Sequence, residues 1–322
     1  MIGTRRLADA SAIGPPAFMI CMKHMSEWFV MRSVRIKKSV LFASFCVLLI
    51  LVCILSLLLS RYGLTVTRFE LSQPKLTQPL RIMQLTDLHN SEFGKGNERL
   101  IRKVAEQEPD LILLTGDMLN QYEERTDVPV DLIRELCKIA PVYASYGNHE
   151  RQHERVFGSD LRAVFTEAGA TFMNREWVDV EIKGQELRVG GIYSYCLPAY
   201  YMQEGNVDKL DVSFLQEFCD TERTKLLLCH MPVCWIKNGG LDYWDTDYIF
   251  AGHAHGGQVR IPFVGGLYAP DQGKFPGWCE GLFFSKDGSH TMALSRGLGT
   301  GKGRIPRLNN IPEILVLQLN PA

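Results

Sequence analysis

The chain has almost no net charge: its 322 residues hold 35 Lys and Arg against 36 Asp and Glu, which leaves −1 with histidine neutral. Without a basic excess, and with no long basic stripe interleaved with aromatics, nothing points to a nucleic-acid-binding surface. Cysteine pairing is also missing. Nine cysteines are present but none forms a C-x-x-C, which argues against a zinc ribbon or a dithiol redox site. Several, such as Cys229, flank apolar runs and read as buried thiols, with one disulfide left open outside the cytoplasm. Repeats and low-complexity tracts are absent. Gly297-Leu-Gly-Thr-Gly-Lys-Gly303 lacks the leading glycine and the Lys-Ser or Lys-Thr ending of a P-loop, so it reads as a flexible loop.

Long hydrophobic runs are equally scarce, with one exception. Val40 to Leu59 is twenty residues without a charge or a proline, enough at 1.5 Å per residue to cross a hydrocarbon core of about 30 Å as a helix. A cleaved signal peptide has a shorter core, about 7–15 residues, and no small-x-small site follows Leu59, so an uncleaved anchor is expected. Arg32, Arg35, Lys37 and Lys38 crowd the N-terminal side, whereas Arg61 and Arg68 are sparse beyond it. The positive-inside rule therefore puts the N-terminus in the cytoplasm and the bulk of the chain outside. The expected partition is a cytoplasmic segment at 1–38, an anchor at 39–60, a short tether with a first strand at 61–78, and one domain at 79–322. The basic cluster begins right after Met31, which points to translation starting there.

Five apolar runs, each followed at once by metal-liganding side chains, carry the chemistry. Arg81 to Thr86 leads to Asp87 and His89; Asp110 to Thr115 leads through Gly116 to Asp117; Pro141 to Tyr146 leads through Gly147 to Asn148 and His149. Lys225 to Cys229 ends at His230, and Tyr248 to Ala251 ends at Gly252-His253-Ala254-His255. Runs of this length read as buried strands. Helical spacing follows Asn97 and Asp127, so strand alternates with helix, as in a parallel α/β sheet that binds ligands at the carboxyl ends of its strands. Beyond about Thr171 the chain turns β-rich. Trp177 to Ile182, Leu187 to Tyr193, Gln258 to Ile261, Gly281 to Ser285, Thr291 to Ser295 and Glu313 to Leu319 are expected strands of a second sheet packed on the first. Five of the eight histidines fall on these motifs; His24, His153 and His290 do not, and are read as ordinary packed or surface residues.

The order D-x-H, G-D, G-N-H-E, H, G-H-x-H resembles the calcineurin-like metallophosphoesterase superfamily over roughly Pro79 to Leu319. Gly252-His-Ala-His-Gly-Gly-Gln-Val-Arg260, Ser295-Arg-Gly-Leu-Gly299 and Pro312-Glu313 are similar to its membrane-associated bacterial branch of YkuE-like or YaeI-like phosphodiesterases. Ala254 departs from that branch, which commonly has threonine there, at a position that is not a ligand. The resemblance implies a four-layer α/β/β/α sandwich behind one N-terminal transmembrane helix, and two divalent metal ions. One ion would take Asp87, His89, Asp117 and His255, the other Asp117, Asn148, His230 and His253. Nitrogen and oxygen donors without thiolate suit Mn, Fe, Zn, Co or Ni, and spacing does not choose among them.

The resemblance further implies that such a site would hydrolyse a phosphodiester or phosphomonoester by attack of a hydroxide shared between the ions. His149 would act as proton donor or transition-state stabiliser, with Asp87 or Glu150 orienting it. Arg296 and Arg304, with Lys302 and Arg307 nearby, are candidate contacts to a substrate's anionic group. The short tether favours lipid-linked or envelope phosphoesters, and one alternative is a lipid-precursor pyrophosphatase similar to UDP-diacylglucosamine hydrolases. The other alternative, an inactive metal-containing binding module, would be expected to have lost ligands; all seven and His149 are present.

Overall fold

A computed structural model describes residues 37–193, 209–300 and 305–322. The N-terminal segment with Met31, the cysteines at 21 and 196, and both Lys302 and Arg304 lie outside the described residues. Among the described residues the chain first forms helix α1, Lys38–Tyr62, 25 residues long and thus about 37 Å. Its apolar side chains from Val40 to Leu59 are exposed all round. A core helix of a soluble domain would bury one face, so this helix is apolar and long enough to cross a membrane and unlike a packed one.

Two six-stranded sheets follow. The first contains β1 (Thr65–Ser72), β2 (Leu80–Leu85), β3 (Leu111–Leu114), β4 (Val142–Ser145) and β5 (Thr171–Met173). The second contains β6 (Glu176–Ile182), β7 (Gln185–Gly191), β8 (Thr224–Leu228), β9 (Tyr248–Ala251), β10 (Gly281–Phe284) and β11 (Thr291–Leu294). The last strand, β12 (Glu313–Asn320), returns to the first sheet, whose order is β1-β12-β2-β3-β4-β5; the second runs β10-β11-β9-β8-β7-β6. Two expectations are corrected by this. β12 does not join the second sheet, because it pairs with β1 in parallel, Thr65 opposite Glu313, and antiparallel to β2. β1, the expected first strand, is the edge of the same sheet, beside β12. The expected strand Gln258 to Ile261 shrinks to Arg260–Ile261, paired with Gly265–Gly266 in a small hairpin.

Alternation along the strands builds the layers. Ile82, Leu111, Leu113, Leu315 and Leu317 of the first sheet share one buried cluster with Leu187, Val189, Leu226, Leu228 and Phe250 of the second, so the sheets face each other. On the outer face of the first, Met83, Leu85, Ile112 and Leu114 meet α2 (Glu98–Ala105), α3 (Asp127–Leu136) and α5 (Leu161–Glu167), with α4 (Asn148–Phe157) between α3 and α5 in sequence. Leu227, Ile249 and Met292 of the second sheet pack on α6 (Lys209–Cys219), α7 (Val233–Ile236) and α8 (Gly240–Tyr243). Helix, sheet, sheet, helix is the expected four-layer order. Gln84 ties the sheets together in the dry interior: its Nε2 donates to Thr115 Oγ1 and to the Ala251 carbonyl, both at 2.8 Å.

Candidate metal centre

Each motif segment leaves the carboxyl end of a parallel strand, three from the first sheet (β2, β3, β4) and two from the second (β8, β9). The site therefore lies where two sheets end side by side. Turning sharply off a strand asks for unusual backbone, and Asp87 (φ 54°), His89 (49°), Asp117 (54°), His253 (68°) and His255 (48°) all stand in the left-handed region. Such strain collects where function demands it. Glycine makes the close approach possible. A Cβ on Gly252 would fall 2.4 Å from Asp87 Oδ2, and one on Gly116 2.4 Å from the Gly147 nitrogen.

Three triads of donor atoms result: Asp87, His89 and His255; Asp117, His230 and His253; and, sharing members with both, His89, Asp117 and His149, the atoms of each lying within 4.8 Å of one another. In the first, His89 Nε2 and His255 Nε2 are 3.3 Å apart, and Asp87 Oδ1 is 3.6 Å from His255 Nε2. Asp117 Oδ2 stands between the groups, 3.2 Å from His230 Nε2 and 3.8 Å from His89 Nε2. Six of the seven residues expected to bind metal fall in these groups; the seventh, Asn148, stands at the first turn of α4 with its Oδ1 buried.

The buried donors fit cations. Asn148 Oδ1 and His230 Nε2 have no hydrogen-bond partner, a costly condition for buried polar atoms that a metal would relieve. His230 Nδ1 donates to the Thr115 carbonyl at 2.8 Å; burial works against its charge, but the Asp117 and Asp87 carboxylates outweigh it and raise the ring to about 10, so a metal would take the Nε2 position by displacing a proton. Burial pushes His89 down to about 3, and burial, then the charge on His89, holds His255 well below its ordinary value, so both rings stay neutral with lone pairs available. For Asp117, burial works upward but the His230 and His149 rings outweigh it and hold the carboxyl well below the usual carboxylate range. Asp87 is raised by burial and, in part, by Asp117 beside it. Among the described residues no cysteine falls in these groups: Cys229 and Cys234 are buried, each 3.8 Å from the Met231 carbonyl.

The structure corrects the surroundings. Glu150 does not orient His149; its buried carboxylate accepts the N–H groups of Asp117 and Met118 at 2.7 Å, of Gly147 at 2.8 Å and of Leu119 at 3.3 Å, clamping two ligand loops together. The Asp87 oxygens accept the His253 N–H at 3.2 Å. The His149 ring is set by the Gln121 N–H, which no sequence motif marks. Arg296 packs beside Gly256 but pairs with Glu313 at 3.1 Å and Glu280 at 3.3 Å, so it is not a free cation. The expected flexible glycine loop is a wall in its first part: Leu298 N–H and Gly299 N–H donate to the carbonyls of Thr86 and Asp87 at 3.0 and 2.6 Å. Asp271, in a hairpin past the motifs, brings a carboxylate within 3.2 Å of His253 Nε2. His153 is a satisfied core residue, bonded to Ser159 Oγ at 2.7 Å and the Glu124 carbonyl at 3.2 Å.

The family model described as calcineurin-like phosphoesterase matches residues 80–257, a span that contains all seven candidate ligands. The chain is 28% identical to metallophosphoesterase YkuE of Bacillus subtilis over 248 residues, covering 74% of this chain and 78% of that one. It is also 28% identical to phosphodiesterase YaeI of Escherichia coli over 252 residues, 75% and 82% of the two chains. UDP-2,3-diacylglucosamine pyrophosphatase LpxG of Chlamydia trachomatis is 25% identical over 308 residues, 79% and 89%.

Proposed function

The chain belongs to the calcineurin-like phosphoesterase family, and from that premise we propose that it hydrolyses a phosphodiester or phosphomonoester at a two-metal centre. The observation that carries the reading is the position of Asp117 Oδ2 within 3.2 Å of His230 in one donor triad and 3.8 Å of His89 in another. Asp87, His89, Asp117 and His255 would hold one divalent ion and Asp117, Asn148, His230 and His253 the second. Ions held there would supply Lewis acidity, which lowers the pKa of water towards neutrality and offsets phosphoryl charge.

The protein groups do the rest. His149, its Nδ1 occupied by the Gln121 N–H at 3.1 Å, presents Nε2–H toward the side of the site where Asp117 Oδ2 lies 3.9 Å away, suited to stabilising a leaving oxygen by hydrogen bonding in the transition state. The α4 N-terminus donates its His149 N–H to Asp117 Oδ1 at 2.8 Å, keeping that carboxylate ionised and aimed. Purified full-length protein assayed for bound metals and for aryl phosphomonoester and diester hydrolysis tests the proposal. Metal-dependent turnover lost in Asp117→Asn and His149→Ala is expected; metal-replete protein without turnover, or turnover surviving Asp117→Asn, would end it.

A lipid-linked substrate is the second reading, favoured by a cavity of about 530 Å³ whose walls include Leu57, Leu58, Arg61, Tyr62, Leu298 and Arg307. It joins the apolar end of α1 to the segment bonded to Thr86 and Asp87, and LpxG is named for a lipid pyrophosphate. Basic residues before α1 support a cytoplasmic N-terminus with the domain outside. Activity of a cytoplasm-only reporter fused after Gln73 would contradict that orientation.

A further inference from the structure

The hairpin formed by Arg260–Ile261 and Gly265–Gly266 presents Ile261, Pro262, Phe263 and Val264 to the outside, with Phe263 fully exposed. Phe263 also holds a left-handed backbone, φ 67°, which a bulky residue adopts at a cost. Neither feature helps a water-soluble surface. The tip contains no acid, and the one charge in Arg260–Gly266, the Arg260 guanidinium at its base, is paired with Glu280.

Where the hairpin is tied decides what it meets. The Arg260 N–H donates to the Leu308 carbonyl at 2.9 Å, and Asn309 Nδ2 donates to the Arg260 carbonyl at 3.1 Å. The next bond reaches the helix: the Asn309 N–H donates to Ser56 Oγ at 2.7 Å. Ser56 lies three residues inside Leu59, the end of the apolar run, so it stands about 4.5 Å within that run along the helix axis. If α1 crosses a bilayer, the base of the hairpin is level with the hydrocarbon boundary. From Arg260 the tip reaches no more than about 10 Å farther.

We propose that this hairpin tip is a second membrane contact, with Ile261, Phe263 and Val264 seated in the acyl region of the leaflet that receives the C-terminal end of α1. The occupant is lipid, because the patch is continuous with a lipid-facing helix through Ser56 and Asn309, and is apolar and free of acidic groups. Exposed Tyr268 and Phe275 on the adjoining hairpin are the aromatic type that settles at headgroup depth. Two contacts, one spanning and one interfacial, fix the domain's tilt on the bilayer as one helix alone would not. The inference rests on α1 being a membrane helix and on nothing about the reaction.

The test is photocrosslinking in the full chain, reconstituted in phosphatidylcholine–phosphatidylglycerol vesicles. Phe263→p-benzoylphenylalanine keeps the phenyl ring and adds a para-benzoyl group for which the fully exposed position leaves room, so folding is preserved; the same residue at Leu48 reports the helix, and at exposed Val156 the aqueous surface. Phospholipid adducts at 48 and 263 and none at 156 are expected. Adducts at 48 without any at 263, or a crosslink from 263 to a second copy of the chain, would overturn the proposal. Loss of the adduct at 48 would remove the membrane helix and the hairpin contact together.

Discussion

His149 Nδ1 accepts a hydrogen bond from the backbone N–H of Gln121 at 3.1 Å. A ring nitrogen that accepts carries no proton, so the neutral imidazole keeps its hydrogen on Nε2, the atom nearer Asp117. Burial, partly offset by Asp117, holds the ring below its ordinary pKa, which keeps it neutral at physiological pH. His149→Ala is therefore expected to lower kcat for an aryl phosphodiester by about 10²–10⁴-fold with bound metal unchanged. Gln121→Ala retains the N–H and should stay close to wild type. Equal losses in the two variants, in parallel kinetics, would show that the ring is not set this way.

Glu150 joins two loops through four backbone N–H groups, and burial first, then the Asp117 charge, raises its pKa from 4.5 to about 7. Because the folded value lies above the unfolded one, folding favours the protonated form. The stability this group adds is whole below 4.5 and drains away as pH rises through about 7. Glu150→Gln puts an amide N–H₂ against two of those backbone donors and should destabilise chelated protein by about 2–4 kcal/mol. The penalty should shrink above pH about 7, where the wild-type carboxylate is charged. Urea denaturation of both proteins on either side of that pH measures it; a penalty that grows with pH would contradict the sign.

The candidate ligands stand out in the sequence for a physical reason: parallel strands buried on both faces read as unbroken apolar runs, so a polar residue at each end, as at Asp87 or His253, is conspicuous. Sheet membership was not legible. β12 was assigned to the wrong sheet because pairing Thr65 with Glu313 joins positions far apart in the chain, and nothing local to either encodes it. Side chains that act through backbone groups were hidden as well. Glu150 looks like part of G-N-H-E whether it faces His149 or clamps Asp117, and the Gln121 donor is a peptide N–H that any residue type would supply. Asp271 reaches His253 only through the local path of a hairpin.

Gly252 precedes His253 with no room for a side chain. A Cβ there would lie 2.3 Å from Thr86 Oγ1 and 2.4 Å from Asp87 Oδ2, and the second contact is with a candidate ligand. Gly252→Ala should displace Asp87 and cost about 1–3 kcal/mol of stability. Bound metal, measured by elemental analysis after gel filtration, should fall below two ions per chain while the far-ultraviolet circular dichroism is kept. Full metal content in this variant would mean that Asp87 is not a ligand or that the loop yields freely.

Removing metal should unmask the strain in the donor cluster. Burial, and then the Asp117 charge, raise Asp87, so two carboxylates are held closer than they would choose in the absence of a cation, beside the His89 and His255 rings whose Nε2 atoms lie 3.3 Å apart. Folding builds this arrangement and unfolding disperses it, which makes bound metal a ligand of the native state alone. At a free-metal concentration 1,000-fold above the dissociation constant, such a ligand adds about 4 kcal/mol. Chelation should lower the melting temperature accordingly, and readdition of Mn, Zn, Fe, Co or Ni should restore it to differing extents that rank the ions. In Asp117→Asn the shared carboxylate is neutral, the mutual repulsion is relieved, and the difference between chelated and metal-replete protein should largely vanish. A melting temperature indifferent to chelation in the wild type would leave the convergence of these side chains without a cause in metal binding.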